Sequence, residues 1–134
     1  MVQNEIRTRI AVVRLGEDGI IRQTVAAGAE ETLADAQASI QAAMSLSGGR
    51  RSPVLVDLRG IKSQEREARI YYNSPVAVRV SNAIALLVGS RTSMLIANFF
   101  ITITANSSGR PTKLFTEEAE AIKWLKEFAR QALA

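Results

Sequence analysis

Gly89-Ser90-Arg91-Thr92-Ser93 is the segment whose residue types come nearest to a binding chemistry. It separates two apolar runs, residues 84–88 and 94–103, and reads as the turn from a buried strand into the N-terminus of an apolar helix. Backbone N–H groups at such a start lack intrahelical partners and point outwards, and Arg91 adds a full positive charge. The expected chemistry is capture of an anion. Open α/β sheets place ligands there, outside the carboxyl ends of their strands. The same residues equally suit plain capping by Ser90, Thr92 or Ser93, with Arg91 in solvent.

Acid–base chemistry has a narrower footing. Asp57, Glu65 and Glu67 are the carboxylates that could converge, but Glu65 and Glu67 stand two apart on one short helix and face apart. Lys62-Ser63 pairs an amine with a hydroxyl, yet adjacent side chains point in different directions. The chain has no histidine and no cysteine, which removes thiol nucleophiles, disulfides, thiolate or imidazole metal sites and histidine acid–base steps. The expectation is a protein that is not an enzyme, with no catalytic residue, no metal and no cofactor. Arg59, Glu65, Arg66, Arg69 and Tyr72 form instead an expected interaction surface. Arg66 and Arg69, three apart, share a helix face, and Glu65 with Arg69 reads as an ordinary surface pair.

The elements that carry these residues follow from pattern. A length of 134 residues with 47% apolar content fits one domain, residues 1–134, with a single sizeable core. Ile6, Thr8, Ile10 and Val12 alternate with Arg7, Arg9 and Ala11, the period of a half-exposed strand. Gly16-Glu17-Asp18-Gly19 supplies a turn, and residues 20–25 return as its hairpin partner. Thr32 with Asp35 three residues on predicts a helix N-cap, and Gly48-Gly49 the helix end. Val54-Leu55-Val56, ending at Asp57, is the run expected of a strand covered on both faces. Residues 64–72 predict a short helix. Ser74-Pro75 opens a second helical segment through Val76, Val78 and Val80. Residues 84–88 predict a buried strand, 93–103 an apolar helix, 105–111 a loop, and 113–115 a last strand. Thr116-Glu117-Glu118 caps a final helix with a stripe of Ile122, Leu125, Phe128, Ala129 and Leu133. Alternation of strands and helices predicts an α/β sheet.

Charge and hydropathy limit the partners. A net charge of +4 from scattered arginines favours solubility and anions in general. Gly48-Gly49-Arg50-Arg51, without interleaved aromatics, reads as a solvated turn, so nucleic acid is not expected. Residues 83–104 have the length of a membrane span, but Arg91 near their middle argues against one. The first nine residues lack the apolar run of a secretory signal, so a cytoplasmic location is expected.

The segments VLVDLRGIKSQEREAR (residues 54–69), AIALLVGS (83–90) and TKLFTEEAEAIKWL (112–125) carry a resemblance to an uncharacterised bacterial family of STAS-like proteins. The element order of nearly the whole chain is similar to the STAS domain, the fold of SpoIIAA-type anti-sigma-factor antagonists, and to the SpoIIAA-like and lipid-binding SEC14-like domains. The resemblance implies a mixed sheet that begins with a β-hairpin and continues with alternating helices and strands. In the antagonists a phosphorylatable Ser or Thr stands near the helix after the central strand. Here that region is Gln64-Glu65-Arg66-Glu67, with no hydroxyl, and Ser63 is displaced. Permanent charge from Glu65 and Glu67 cannot be switched by phosphorylation. What the resemblance implies is an interaction or regulatory module with an unknown protein partner. The alternative is a SEC14-like binder of a small apolar or anionic-headgroup ligand. Met94, Phe99 and Phe100 lie on a helix apolar nearly all round, which fits a pocket or the contact of a homodimer as well as it fits core, and a homodimer is expected.

Overall fold

The computed structural model describes residues 4–89 and 110–133. Ser90, Arg91, Thr92, Ser93, Met94, Phe99 and Phe100, the expected helix over 93–103 and most of the expected 105–111 loop lie outside the described residues.

The chain opens with β1 (Glu5–Arg7), β2 (Ala11–Leu15) and β3 (Ile21–Val25), each antiparallel to the next. The single alternating strand expected over residues 6–12 is in fact two strands. Thr8 causes the reversal: its Oγ1 accepts from the Ala11 N–H at 3.1 Å and its own N–H donates to the Ala11 carbonyl at 2.8 Å. A hydroxyl that bonds nearby backbone competes with the sheet ladder and turns the chain. The Gly16–Gly19 turn falls where expected, with Asp18 bridged to Arg22 at 2.8 Å.

A short strand β4 (Glu30–Glu31) leads into α1 (Leu33–Ser47). Thr32 and Asp35 form a reciprocal capping box, and Gly48, at φ 64°, ends the helix in the left-handed conformation that glycine adopts without a Cβ penalty. Next come β5 (Ser52–Asp57), β6 (Ser63–Gln64), α2 (Arg66–Tyr71), α3 (Pro75–Val78), β7 (Ser81–Leu87), β8 (Thr112–Phe115) and α4 (Glu118–Leu133). Two expectations need correction. Gln64 does not open the helix: Ser63 and Gln64 pair in parallel with Glu30 and Glu31 as a separate two-stranded sheet. The helix opened by Ser74-Pro75 closes at Val78, with Arg79 as its C-cap, so Val80 lies beyond it. Three β-branched valines within five residues shorten a helix that has little to propagate it.

The main sheet has the order β1-β2-β3-β5-β7-β8, antiparallel in its first three strands and parallel from β3 onward. β5, at its centre, is buried from Ser52 to Val56. Period-two alternation splits its side chains between two cores. Val54 and Val56 pack with Ala42 and Ala43 of α1 and with Val13, Ile21 and Leu86, whereas Leu55 packs with Ala121, Leu125 and Ala129 of α4. Alanines at 83 and 85 facing alanines at 121 and 129 let α4 lie close to the sheet. Where β3 and β5 hand over to their loops, a Cβ on Gly60 would stand 2.9 Å from the Ala27 Cα. That crossing therefore requires glycine.

Candidate functional site

Parallel register brings Thr24, Asp57, Leu87 and Phe115 to one level at the carboxyl ends of the strands. There Arg59 folds back over Asp57. Its Nε donates to Oδ1 at 3.0 Å, its Nη2 to Oδ2 at 2.7 Å, and its backbone N–H to Oδ1 at 3.1 Å. Burial pushes the Asp57 carboxyl up, but the hydrogen bonds and charge of Arg59 outweigh it and hold the group below its ordinary value. The same guanidinium lies 3.9 Å from Glu118 at the start of α4. Gly89, just past β7, faces the Arg59 stem, since a Cβ there would stand 3.5 Å from Cγ. Arg59 and Gly89, read separately from the sequence, thus meet at one edge of the sheet. Asp57 is engaged on both oxygens, which suits a structural clamp better than a general base.

The expected surface on α2 divides. Arg66 and Glu67 are exposed, and Ile70 beside them keeps 57% of its area in solvent. The expected Glu65–Arg69 ion pair is not formed. Glu65 Oε2 accepts from the Leu33 N–H at 3.0 Å, so it caps α1, while Arg69 Nη1 donates to the Gln64 carbonyl at 3.3 Å. Unmade backbone donors and acceptors at element ends outcompete a solvent-screened pair. Tyr72 is half-buried and turns its hydroxyl inward.

That hydroxyl reaches a group that sequence reading overlooked. Glu31 is 2% exposed, and both carboxyl oxygens are held: Tyr72 Oη donates to Oε2 at 2.6 Å and Gln64 Nε2 to Oε1 at 2.6 Å. Gln23 Nε2 donates in turn to Tyr72 Oη at 3.2 Å. Burial pushes the Glu31 carboxyl up, and the two hydrogen bonds only partly offset it. Tyr72 is pushed up as well, by burial and by the Glu31 charge. Gln23 carried a readable signal. It shares a strand face with Ile21 and Val25, all three buried, and an amide on an apolar face announces a buried partner. Glu31, beside exposed Glu30, had no such mark.

Two arginines complete the surroundings. Arg9 grips Asp35 through Nε and Nη2, and this contact with the Thr32 cap draws the Asp35 carboxyl down to about 2. Arg110, 6% exposed, donates from Nη1 to Ser81 Oγ at 2.9 Å and from Nη2 to the Tyr72 carbonyl at 3.1 Å. Burial and the nearby Arg51 charge push its guanidinium down to about 10. Among the described residues no cluster of acidic side chains would hold a metal ion, and no helix is long and apolar enough to cross a membrane.

This mixed sheet is a SpoIIAA-like α/β fold. An uncharacterised protein of the DUF3478 family with that fold, from Shewanella loihica PV-4, superposes with a TM-score of 0.55 over 90% of each chain at 13% identity. At that identity the likeness speaks for the fold alone. The chain belongs to the family described as a domain of unknown function, DUF7793, whose sequence pattern spans residues 15–129. No curated protein matches it.

Proposed function

We propose that the chain is a non-enzymatic interaction or regulatory module whose working surface is α2. One observation carries the reading. The large apolar side chains left exposed among the described residues, Met44 at 41%, Ile70 at 57% and Val76 at 44%, all lie on α1, α2 and α3. Exposed Arg66 and Arg79 stand beside the last two. Exposed apolar side chains with arginines close by on the same short helices match the composition of protein-binding surfaces. The carboxylates nearby support the same reading, because Asp57 and Asp35 are held by arginines and Glu31 is out of solvent. A permanent surface of this kind works without the phosphorylatable hydroxyl that residues 64–67 lack.

The test places a photo-crosslinking residue at position 70 and identifies the adducts. One dominant partner, bound by the purified chain and lost with Arg66→Glu plus Arg69→Glu, is the expected result. Unchanged binding by the charge-reversed variant removes the surface. Turnover of any substrate that disappears with Asp57→Asn removes the non-enzymatic reading.

A further inference from the structure

The Glu31 cluster joins the elements that carry the proposed surface. Glu31 stands on β4 immediately before α1, Gln64 on β6 before α2, Tyr72 at the end of α2, and Gln23 on β3. When the carboxyl is ionised it accepts from Tyr72 and Gln64, and among the described residues no cation pairs with it. On α2, Arg66 and Glu67 are exposed, and on β3 Arg22 binds Asp18. On α1, Asp35 is held by Arg9, whose Nη2 also donates to the Glu30 carbonyl. On β4, Glu30 is exposed and 3.8 Å from Lys62. Ahead of α2, Glu65 caps Leu33, and on α2 itself Arg69 binds the Gln64 carbonyl. From just ahead of β8, Arg110 reaches the Tyr72 carbonyl.

The neutral carboxyl keeps both contacts. With one proton taken from solvent, Glu31 donates to Tyr72 Oη while Gln64 still donates to Oε1. No charge is then buried. A buried carboxylate whose partners are all neutral donors is the costlier of the two states.

We propose that Glu31 is a proton-operated latch: protonated, it holds the β6–α2 segment firmly against β4 and α1, and ionised, it loosens that segment. This rests on the reading of α2 as the working surface, whose order the latch would regulate. The sign follows from linkage. Burial raises the Glu31 carboxyl above its ordinary value. Its stabilising contribution is therefore complete below the ordinary carboxylate range and lost as pH rises through the raised value. Undocking α2 returns Glu31 to water and to ordinary behaviour.

The test is amide hydrogen exchange on the full chain at about pH 5 and about pH 8, corrected for intrinsic exchange. The opening constant of residues 64–72 should rise between the two, by a factor that approaches but stays below about tenfold for each unit by which docking raises the Glu31 pKa, since an undocked glutamate is already mostly ionised at about pH 5. Glu31→Gln should remove the step and keep the segment closed at both values. Tyr72→Phe deletes a donor that favours the charged form, so it should move the step to a higher midpoint. A step that survives Glu31→Gln, a midpoint unmoved by Tyr72→Phe, or no step in the parent chain overturns the latch. A step present as described, in a protein whose partner ignores Arg66→Glu plus Arg69→Glu, supports the latch and removes only the surface reading.

Discussion

Asp57 and Glu31 are both carboxylates at the ends of strands, yet the molecule treats them in opposite ways. Asp57 retains 14% exposure and closes a two-toothed contact with Arg59, itself 50% exposed. Glu31 is held by a phenol and an amide, and among the described residues no cation pairs with it. Arginine keeps the first charged; burial among neutral donors favours the proton on the second. Hydrogen bonding alone therefore does not fix the state of a carboxyl. The charge of its donors and its access to water decide.

The contrast is broken most forcefully at Tyr72. Tyr72→Ala removes a half-buried ring and one of the two donors to Glu31, and should cost about 3 kcal/mol in urea unfolding. A loss near that of an ordinary surface substitution would mean the cluster contributes little. Next in size is Asp35→Asn, which weakens the Thr32 cap and the Arg9 contact, with an expected cost of about 1 kcal/mol at neutral pH. Asp35 is lowered, so its contribution is present above the ordinary carboxylate range and disappears as pH falls toward about 2. The variant should show a flatter acid limb in thermal unfolding, whereas an unchanged limb would assign acid sensitivity elsewhere. The smallest effect belongs to Asp57→Asn, under about 0.5 kcal/mol, because solvent screens a pair whose arginine is half exposed. A larger loss would show that the Arg59 clamp organises the β5 and β7 ends.

The pattern of the chain revealed its strong elements for physical reasons. Thr32, Asp35 and Gly48 announce α1 because caps depend on local geometry, and residues 54–56 announce β5 because both its faces are covered. The SpoIIAA-like likeness followed from that order of elements. Thr8 hid the turn between β1 and β2, since its hydroxyl bond overrides an alternation that continues through it. The two-residue strands β4 and β6 were illegible because their pairing joins residues about thirty apart with no periodicity of their own. Within the site, Arg59 and the α2 residues were visible as charges, but not their partners. Glu65 looked like half of an ion pair and proved to be a cap for α1. Glu31 was invisible because burial is decided by what folds over a residue.

The most direct measurement is a carboxyl-carbon NMR titration of the intact chain with Glu31 and Asp57 assigned. The expected result is a Glu31 midpoint clearly above the ordinary glutamate value of about 4.3 and an Asp57 midpoint below the ordinary aspartate value of about 3.9. A Glu31 midpoint at or below its ordinary value would contradict it, because a carboxylate that stays charged there must have found a cation or water, and neither a latch nor the contrast with Asp57 would remain.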